Sequence, residues 1–309
     1  MESLESRRLF NVILKGDTLT VTGSDLPDNI NLFVTDQGGN LPDLLHVVTN
    51  GHEDVFNQPG IQHVFVSALG GDDVVKVYDG LAETTASPFT VAGGAGDDSL
   101  TGDTGDATIF GGHGNDTIFG GGGDGIYAGG AGNDLLVGDH DNAFGNFHGG
   151  PGNDLIRVAG EQEDVQGDSG RDTLDFSLAF EDLDISLDGI DNDGFADPVF
   201  RNDVAVMHIV GDFERIIGGP NNDRISGDDT SELILGGGGN DTIHGGGGND
   251  TIVGGAGHDK LFGDAGDDSL IGKEPSHATQ LRDTLDGGGD SGDVGDAAPP
   301  DILRNLKTR

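Results

Sequence analysis

A period of nine residues constrains this chain more than any other feature of its sequence. From Gly93 the sequence divides into GGAGDDSLT, GDTGDATIF, GGHGNDTIF, GGGGDGIYA and GGAGNDLLV. After the eleven residues GDHDNAFGNFH the period returns as GGPGNDLIR, VAGEQEDVQ and GDSGRDTLD, and a second block runs from Gly218 to Ile271. Self-similarity at a short fixed period predicts a repeat architecture, in which each repeat packs against its neighbours.

The eighth position of the repeats is apolar. Positions seven to nine alternate polar, apolar and polar, which is typical of a short strand with one inward side chain. We expect six residues of turn between strands, with glycines at positions one, two and four giving the turn its positive φ angles. Two strands and two turns make one coil of eighteen residues. The inward residues are Leu100, Ile109, Ile118, Tyr127, Leu136, Ile156, Val165, Leu174, Ile225, Ile234, Ile243, Ile252, Leu261 and Leu270.

Stacking these coils about 4.8 Å apart predicts an all-β fold, a parallel β-roll of the β-helix or solenoid kind. Its core is narrow, because the chain has 58 glycines, no tryptophan and only 33% hydrophobic residues. One small apolar residue in nine cannot offset an ordering cost of roughly 1 to 2 kcal/mol per residue. The turns must therefore supply further stabilisation.

The charge of the chain indicates where that stabilisation comes from. With 56 acidic and 15 basic side chains, the formal net charge is −41, which opposes compaction and disfavours nucleic acid as a partner. Such charge is typical of disordered acidic chains and of proteins that fold around hard cations. The absence of cysteine excludes disulfides and thiolate metal sites. No apolar run reaches the length of about 18 residues that a membrane-spanning helix needs.

The sixth position of the repeats carries the candidate metal ligands, which are aspartates. Calcium prefers six to eight oxygen ligands, and a glycine-rich turn offers backbone carbonyls beside each carboxylate. We therefore expect Ca²⁺ as a structural cofactor that joins stacked turns. The aspartates are Asp98, Asp116, Asp134, Asp154, Asp172, Asp223, Asp241, Asp250, Asp259 and Asp268. The glycines expected to contribute carbonyl oxygens are Gly93, Gly111, Gly129, Gly236, Gly238, Gly245, Gly247 and Gly254.

These repeats resemble the RTX, or haemolysin-type, calcium-binding repeat, whose consensus is GGxGxDxUx. GGHGNDTIF, GGGGNDTIH and GGAGNDLLV meet that consensus almost letter for letter. The resemblance implies a β-roll, bound calcium and export from a bacterium, so that the protein is secreted and extracellular.

Repeats two apart lie on the same edge of a roll, which divides the candidate ligands. In the first block one edge carries Asp98, Asp116 and Asp134 and continues with Asp154 and Asp172. The opposite edge carries Ala107, Gly125, Gly145 and Glu163, with Asp106 and Asp124 one position earlier, and we expect weak calcium binding there or none. In the second block both edges are acidic, through Asp223, Asp241 and Asp259 on one edge and Glu232, Asp250 and Asp268 on the other.

The repeat register predicts five segments. Residues 1–92 are degenerate β coils without calcium turns that form an amino-terminal cap, and residues 93–175 are the first roll block. Residues 176–217 are a β-rich insertion, residues 218–296 are the second block, and residues 297–309 are a tail. After Ile271 the register breaks and returns in ATQLRDTLD and GGGDSGDVG. In the insertion, Asp191, Asp193 and Asp197 form either an acidic hairpin turn or an extra calcium loop.

These features favour calcium binding in a secreted bacterial protein whose folding is coupled to extracellular calcium, with a surface, adhesion or matrix role. A cell-surface or polysaccharide partner is compatible with that role. We expect no enzymatic activity, since the sequence has no HExxH, no GxSxG and no cysteine nucleophile. The alternatives are a calcium-dependent secreted enzyme of protease, lyase or epimerase type with an unrecognised amino-terminal site, and a disordered acidic chain.

Overall fold

The structure is a computed structural model. It describes residues 11–35, 44–57, 61–78, 89–102, 107–121, 125–138, 145–158, 164–188, 194–195, 208–210, 213–272, 283–289, 292–296 and 302–308. The chain forms two compact units, an amino-terminal unit of residues Met1–Gly152 and a carboxy-terminal unit of residues Asn153–Arg309. The described residues contain strands and turns and no helix, so none of them forms an apolar helix of membrane-spanning length.

The amino-terminal unit has strands in two sheets. One sheet has the order β1-β2-β6-β8-β10-β12-β14, and the other has the order β5-β4-β3-β7-β9-β11-β13. The strands are β1 Asn11–Lys15, β2 Thr18–Ser24, β3 Asn29–Thr35, β4 Leu44–Thr49, β5 His52–Asn57, β6 His63–Gly70, β7 Val74–Val77, β8 Phe89–Ala95, β9 Ser99–Thr101, β10 Ala107–His113, β11 Thr117–Phe119, β12 Ile126–Ala131, β13 Leu135–Val137 and β14 Asn146–Gly152.

Repeats two apart pair in parallel, as the eighteen-residue coil predicts. Ile109 lies opposite Tyr127 in one sheet, and Ile118 lies opposite Leu136 in the other. Before the repeats, β2 pairs in parallel with β6, and β3 pairs in parallel with β7. Antiparallel strands flank these coils, with β1 against β2 and the meander of β3, β4 and β5.

The carboxy-terminal unit has three groups of paired strands. Their orders are β16-β20, then β15-β17-β21-β23-β25-β27-β29-β31, and finally the seven-stranded sheet β19-β18-β22-β24-β26-β28-β30. The strands are β15 Leu155–Arg157, β16 Asp164–Gly170, β17 Asp172–Asp175, β18 Leu183–Ser186, β19 Gly194–Phe195, β20 His208–Val210, β21 Phe213–Ile217, β22 Arg224–Ser226, β23 Leu233–Gly238, β24 Thr242–His244, β25 Thr251–Ala256, β26 Lys260–Phe262, β27 Ser269–Ile271, β28 Thr284–Asp286, β29 Val294–Asp296, β30 Ile302–Arg304 and β31 Lys307–Thr308.

These long parallel sheets confirm the all-β roll, and every eighth residue named above is buried. Strand length differs from the expectation in one respect. The strands β9, β11 and β13 have the three predicted residues, whereas β8 and β10 have seven. The longer strands continue because the glycine pairs of successive turns stay in register, with Gly94 opposite Gly112. The segment boundaries stay a prediction.

Candidate metal centre

The position-six aspartates form a ladder of hydrogen bonds in the amino-terminal unit. The backbone N–H of Asp98 donates to Oδ1 of Asp116 at 2.8 Å, and the N–H of Asp116 donates to Oδ1 of Asp134 at 2.7 Å. All three residues are at most 3% exposed. One oxygen of each carboxylate therefore fixes the spacing of two stacked turns.

The carboxy-terminal unit repeats this pattern in its two acidic rows. In the seven-stranded sheet, the N–H of Asp223 donates to Asp241 and that of Asp241 donates to Asp259. In the other row, the backbone N–H groups of Asp154, Glu232 and Asp250 donate to Oδ1 of Asp172, Asp250 and Asp268, respectively. These distances lie between 2.8 and 3.0 Å.

The second oxygen of these carboxylates is the unusual feature of the turns. It is buried and has no hydrogen-bond donor, although a buried carboxylate oxygen without a partner is costly. The first oxygen of each aspartate already has a backbone donor, and Oε1 of Glu232 accepts a hydrogen bond from Oγ1 of Thr230. The second oxygen is therefore the one available to a cation. The atoms concerned are Oδ2 of Asp73, Asp98, Asp116, Asp241, Asp250, Asp259, Asp268 and Asp293 and Oε2 of Glu232.

The first glycine of each turn leaves room for this oxygen. A β-carbon on Gly111 would overlap both Oδ2 of Asp116 and the carbonyl oxygen of Gly129 in the next coil. A β-carbon on Gly245 would likewise overlap Oδ2 of Asp250 and lie 2.7 Å from the carbonyl oxygen of Gly263. The carboxylate and the carbonyl of the next coil therefore converge beside a bare glycine.

The structure corrects the reason for glycine at position one. Positive φ occurs at positions two and four, for example at Gly94 with φ 118° and Gly96 with φ 133°. It does not occur at the first glycines Gly93, Gly111 and Gly129. Glycine is needed at position one because the carboxylate occupies the space of a side chain, and at positions two and four because of backbone conformation.

Burial changes the protonation of these acids when no cation is bound. Desolvation and, to a lesser degree, neighbouring aspartates in the ladder raise the pKa of Asp116 to about 7 and that of Asp241 to about 8. The backbone N–H donor of each ladder acts in the opposite direction and is outweighed. The buried carboxylates thus favour either a proton or a cation.

The donor set of these turns fits a hard cation. Carboxylate and carbonyl oxygens are the ligands that calcium prefers, and neither sulfur nor imidazole takes part. Among the residues that the structure describes, no three acid or imidazole side chains gather at one point. Backbone carbonyls would therefore have to supply a large share of each coordination shell.

The opposite edge of the amino-terminal unit is built differently. Ala107, Gly125 and Gly145 are buried there, and none of them offers a carboxylate. The rings of Tyr127 and Phe147 pack with their centroids 5.0 Å apart, and a β-carbon on Gly125 or Gly145 would overlap one of these rings. Aromatic side chains thus lie beside these glycines, where the other edge has carboxylates. Asp106, Asp124 and Glu163 lie outside the described residues, as do Asp191, Asp193 and Asp197.

Sequence reasoning missed further members of the ladders. Asp73 precedes Asp98 in the ladder, because the backbone N–H of Asp73 donates to Oδ1 of Asp98. At the other end, the N–H of Asp259 donates to Oδ1 of Asp283, and the N–H of Asp268 donates to Oδ1 of Asp293. The signal for Asp73 was a glycine two residues earlier and the β-branched pair that follows it. The unit GGGDSGDVG contains one extra residue, which moves Asp293 from position six to position seven. Val294 therefore lies opposite Ser269, and Gly295 lies opposite Leu270.

A second ladder involves position five. The N–H of Asn115 donates to Oδ1 of Asp97 at 2.7 Å, and the N–H of Asn240 donates to Oδ1 of Asn222 at 2.7 Å. These bonds run from a later turn to an earlier one, opposite to the position-six ladder. Asp97 is exposed, and its carboxylate accepts this hydrogen bond.

Comparison with protein families gives the same identification. The model of the RTX calcium-binding nonapeptide repeat matches in four copies, at residues 92–127, 146–174, 210–243 and 235–270. A search of curated proteins found no match. The matched residues contain the position-six carboxylates of both acidic rows and the glycine-rich turns described above. The four matched segments thus carry RTX calcium-binding nonapeptide repeats, as the resemblance in the sequence predicts.

Proposed function

We propose that the stacked turns bind calcium through the position-six carboxylates and the carbonyl oxygens of their glycines, and that this binding drives folding. The buried second carboxylate oxygens without a donor, such as Oδ2 of Asp116 and Asp241, are the observation that carries the proposal. The ligands are the predicted aspartates and glycines together with Glu232.

Electrostatics supports the coupling of folding to calcium. The ladders place buried carboxylates next to one another in a chain of net charge −41. Without cations their mutual repulsion and desolvation disfavour the stacked state at neutral pH. A divalent ion between two turns would neutralise two carboxylates and satisfy their second oxygens. Binding free energy then appears as folding free energy.

We propose that the protein acts outside the cell in a structural, surface or adhesive role, without catalytic activity. Sites in extracellular modules bind calcium with dissociation constants of about 10⁻⁴ to 10⁻³ M, so coils of this kind fold where calcium is abundant. RTX repeats support this location, and the lack of a recognisable catalytic motif supports a non-catalytic role.

Far-ultraviolet circular dichroism during a calcium titration tests the function. We expect a transition from coil to sheet with calcium, and none at the same concentration of magnesium. The double variant Asp241→Asn and Asp250→Asn should require several-fold more calcium. The matched control is Asp17→Asn with Glu181→Gln, which removes the same charge from exposed positions and should leave the midpoint unchanged. A chain whose sheet content does not respond to calcium would remove the proposal.

A further inference from the structure

The turn at residues 68–73 lies outside the matched repeats and outside the period of nine. It nevertheless connects β6 to β7 as the repeat turns connect β8 to β9 and β10 to β11. Leu69 lies opposite Gly94 across the parallel pair of β6 and β8. The turn therefore stacks directly on the first repeat turn, Gly93–Asp98.

The backbone of this turn has the conformation of the repeat turns. Leu69 has φ 78° and Gly71 has φ 109°, at the places where Gly94 and Gly96 have positive φ. The carbonyl oxygens of Leu69 and Gly71 face the bare sides of Gly94 and Gly96, as the carbonyls of those glycines face the next turn. A leucine at positive φ is strained. The turn therefore keeps the backbone of the repeats although its sequence opposes that conformation.

Asp73 holds the position-six place of this turn. The N–H of Asp28 donates to its Oδ1 at 2.7 Å, and its own N–H donates to Oδ1 of Asp98 at 2.8 Å. Asp73 is 1% exposed, and its Oδ2 is buried without a hydrogen-bond donor. This hydrogen-bond pattern is the one found at Asp98 and Asp116 within the repeats, and the turn differs from theirs at position one, where the buried Ala68 replaces glycine.

Asp28 shows how the ladder ends when the chain itself satisfies the carboxylate. Oδ2 of Asp28 accepts a hydrogen bond from the N–H of Ser24 at 2.6 Å, and its Oδ1 accepts one from Nδ2 of Asn50 at 3.0 Å. Asp28 is as deeply buried as its neighbours, at 4% exposure, but both of its oxygens have donors. Asp73 is therefore the first carboxylate of this ladder that has a buried oxygen without a donor.

We propose that the turn Ala68–Asp73 binds a further calcium ion, shared with the turn Gly93–Asp98, through Oδ2 of Asp73 and backbone carbonyl oxygens. The inference rests on the proposed function of the repeats. It means that calcium orders β3 and β7 as well as the repeats, since Asp73 lies between these strands and the first repeat turn.

Ion counting by native mass spectrometry of the full chain in calcium tests the site. The variant Asp73→Asn keeps the shape of the side chain and its Oδ1, and it should bind one calcium ion fewer than the wild type. Asp28→Asn is the matched control, since its carboxylate has protein donors, and it should bind the wild-type number.

Hydrogen exchange of the wild type gives a second measurement that needs no variant. Calcium should slow exchange in β7 at least tenfold, together with β24 and β26 of the repeats. If the repeats gain protection while β7 does not, or if Asp73→Asn binds the wild-type number of ions, the inference is overturned and the function of the repeats stands. If the wild type binds no calcium, the proposed function itself fails.

Discussion

The backbone N–H of Asp172 donates a hydrogen bond to Oε2 of Glu214 at 2.7 Å, across 42 residues of sequence. Between strict repeats the acceptor is eighteen residues later, as in the bond from Asp154 to Asp172. The pairing register between β17 and β21 shifts between Asp172 and Thr173, so that Glu214 is the extra residue of a bulge. Glu214 thus takes the place of a position-six aspartate as hydrogen-bond acceptor. The ladder of hydrogen bonds continues from Asp172 to Glu214 although the insertion interrupts the repeats.

Glu214→Ala should destabilise the carboxy-terminal unit. The change removes a hydrogen bond to a charged acceptor and leaves the N–H of Asp172 without it, which costs about 1.5 to 3 kcal/mol. Urea unfolding in saturating calcium measures the loss. Glu181→Ala, which removes an exposed glutamate, is the control and should change the midpoint little. Equal midpoints for the two variants would mean that the rung at Glu214 does not stabilise the stack.

Gly111→Ala tests why the first glycine of a turn is required. Gly111 does not have positive φ, so alanine brings no backbone strain, but its β-carbon would overlap Oδ2 of Asp116 and the carbonyl oxygen of Gly129. We expect a loss of about 1 to 3 kcal/mol, typical of overpacking, together with weaker calcium binding. Calcium titration followed by circular dichroism measures both effects.

The control for this change is Gly289→Ala, because a β-carbon on Gly289 would meet nothing within 4 Å. It should leave the calcium midpoint unchanged. A Gly111→Ala protein that binds calcium like the wild type would show that the carboxylate does not need the bare side of the glycine.

The sequence predicted the period, the buried eighth residues and the acidic rows, because these depend on residue type at a fixed spacing. It did not predict the role of Asp73, since Ala68 and Leu69 replace the two glycines that mark a repeat turn. Position in the stack, rather than the motif, imposes the turn conformation on Leu69. Pattern reasoning cannot detect a turn whose backbone is fixed by its neighbours.

Changes of register were also beyond the sequence. Glu214 lies 42 residues after Asp172, so counting forward in nines from the first block does not reach it, although counting back from Glu232 does. Asp293 follows one extra residue in the unit GGGDSGDVG, so counting in nines gives Gly292 at position six there. Strand length was misjudged for a related reason. Whether a glycine pair such as Gly93 and Gly94 ends a strand or continues it depends on the pairing of stacked coils, which no single repeat contains.

Leu69→Gly should stabilise the amino-terminal unit. The substitution relieves a positive φ of 78° at a side chain that is 44% exposed, so little burial is lost. Relief of such strain is worth about 1 to 3 kcal/mol, from which the greater freedom of glycine in the unfolded chain subtracts about 0.5 to 1 kcal/mol. Thermal unfolding in calcium should give a higher midpoint. Leu26→Gly, at an exposed leucine without positive φ, should give no gain.

Removal of calcium should make the stability of the roll depend on pH in a direction set by its buried carboxylates. Burial raises the pKa of Asp116 to about 7, that of Asp241 to about 8 and that of Asp259 to about 6, from an ordinary value of 3.8. Between pH 4 and 8 the folded state therefore holds more protons than the unfolded state. Its stability is greatest at the acid end of that window and falls as pH rises through the folded pKa values.

Circular dichroism of the chelator-treated protein should accordingly show sheet content that increases as pH is lowered from 8 to 5. In saturating calcium the same range should show little change above pH 6, and the calcium midpoint should rise on acidification because protons compete for the same oxygens. The variant Asp241→Asn carries no charge at that rung and should have a shallower pH dependence without calcium. A metal-free protein that loses sheet on acidification would contradict the assignment of these carboxylates as buried, cation-binding groups.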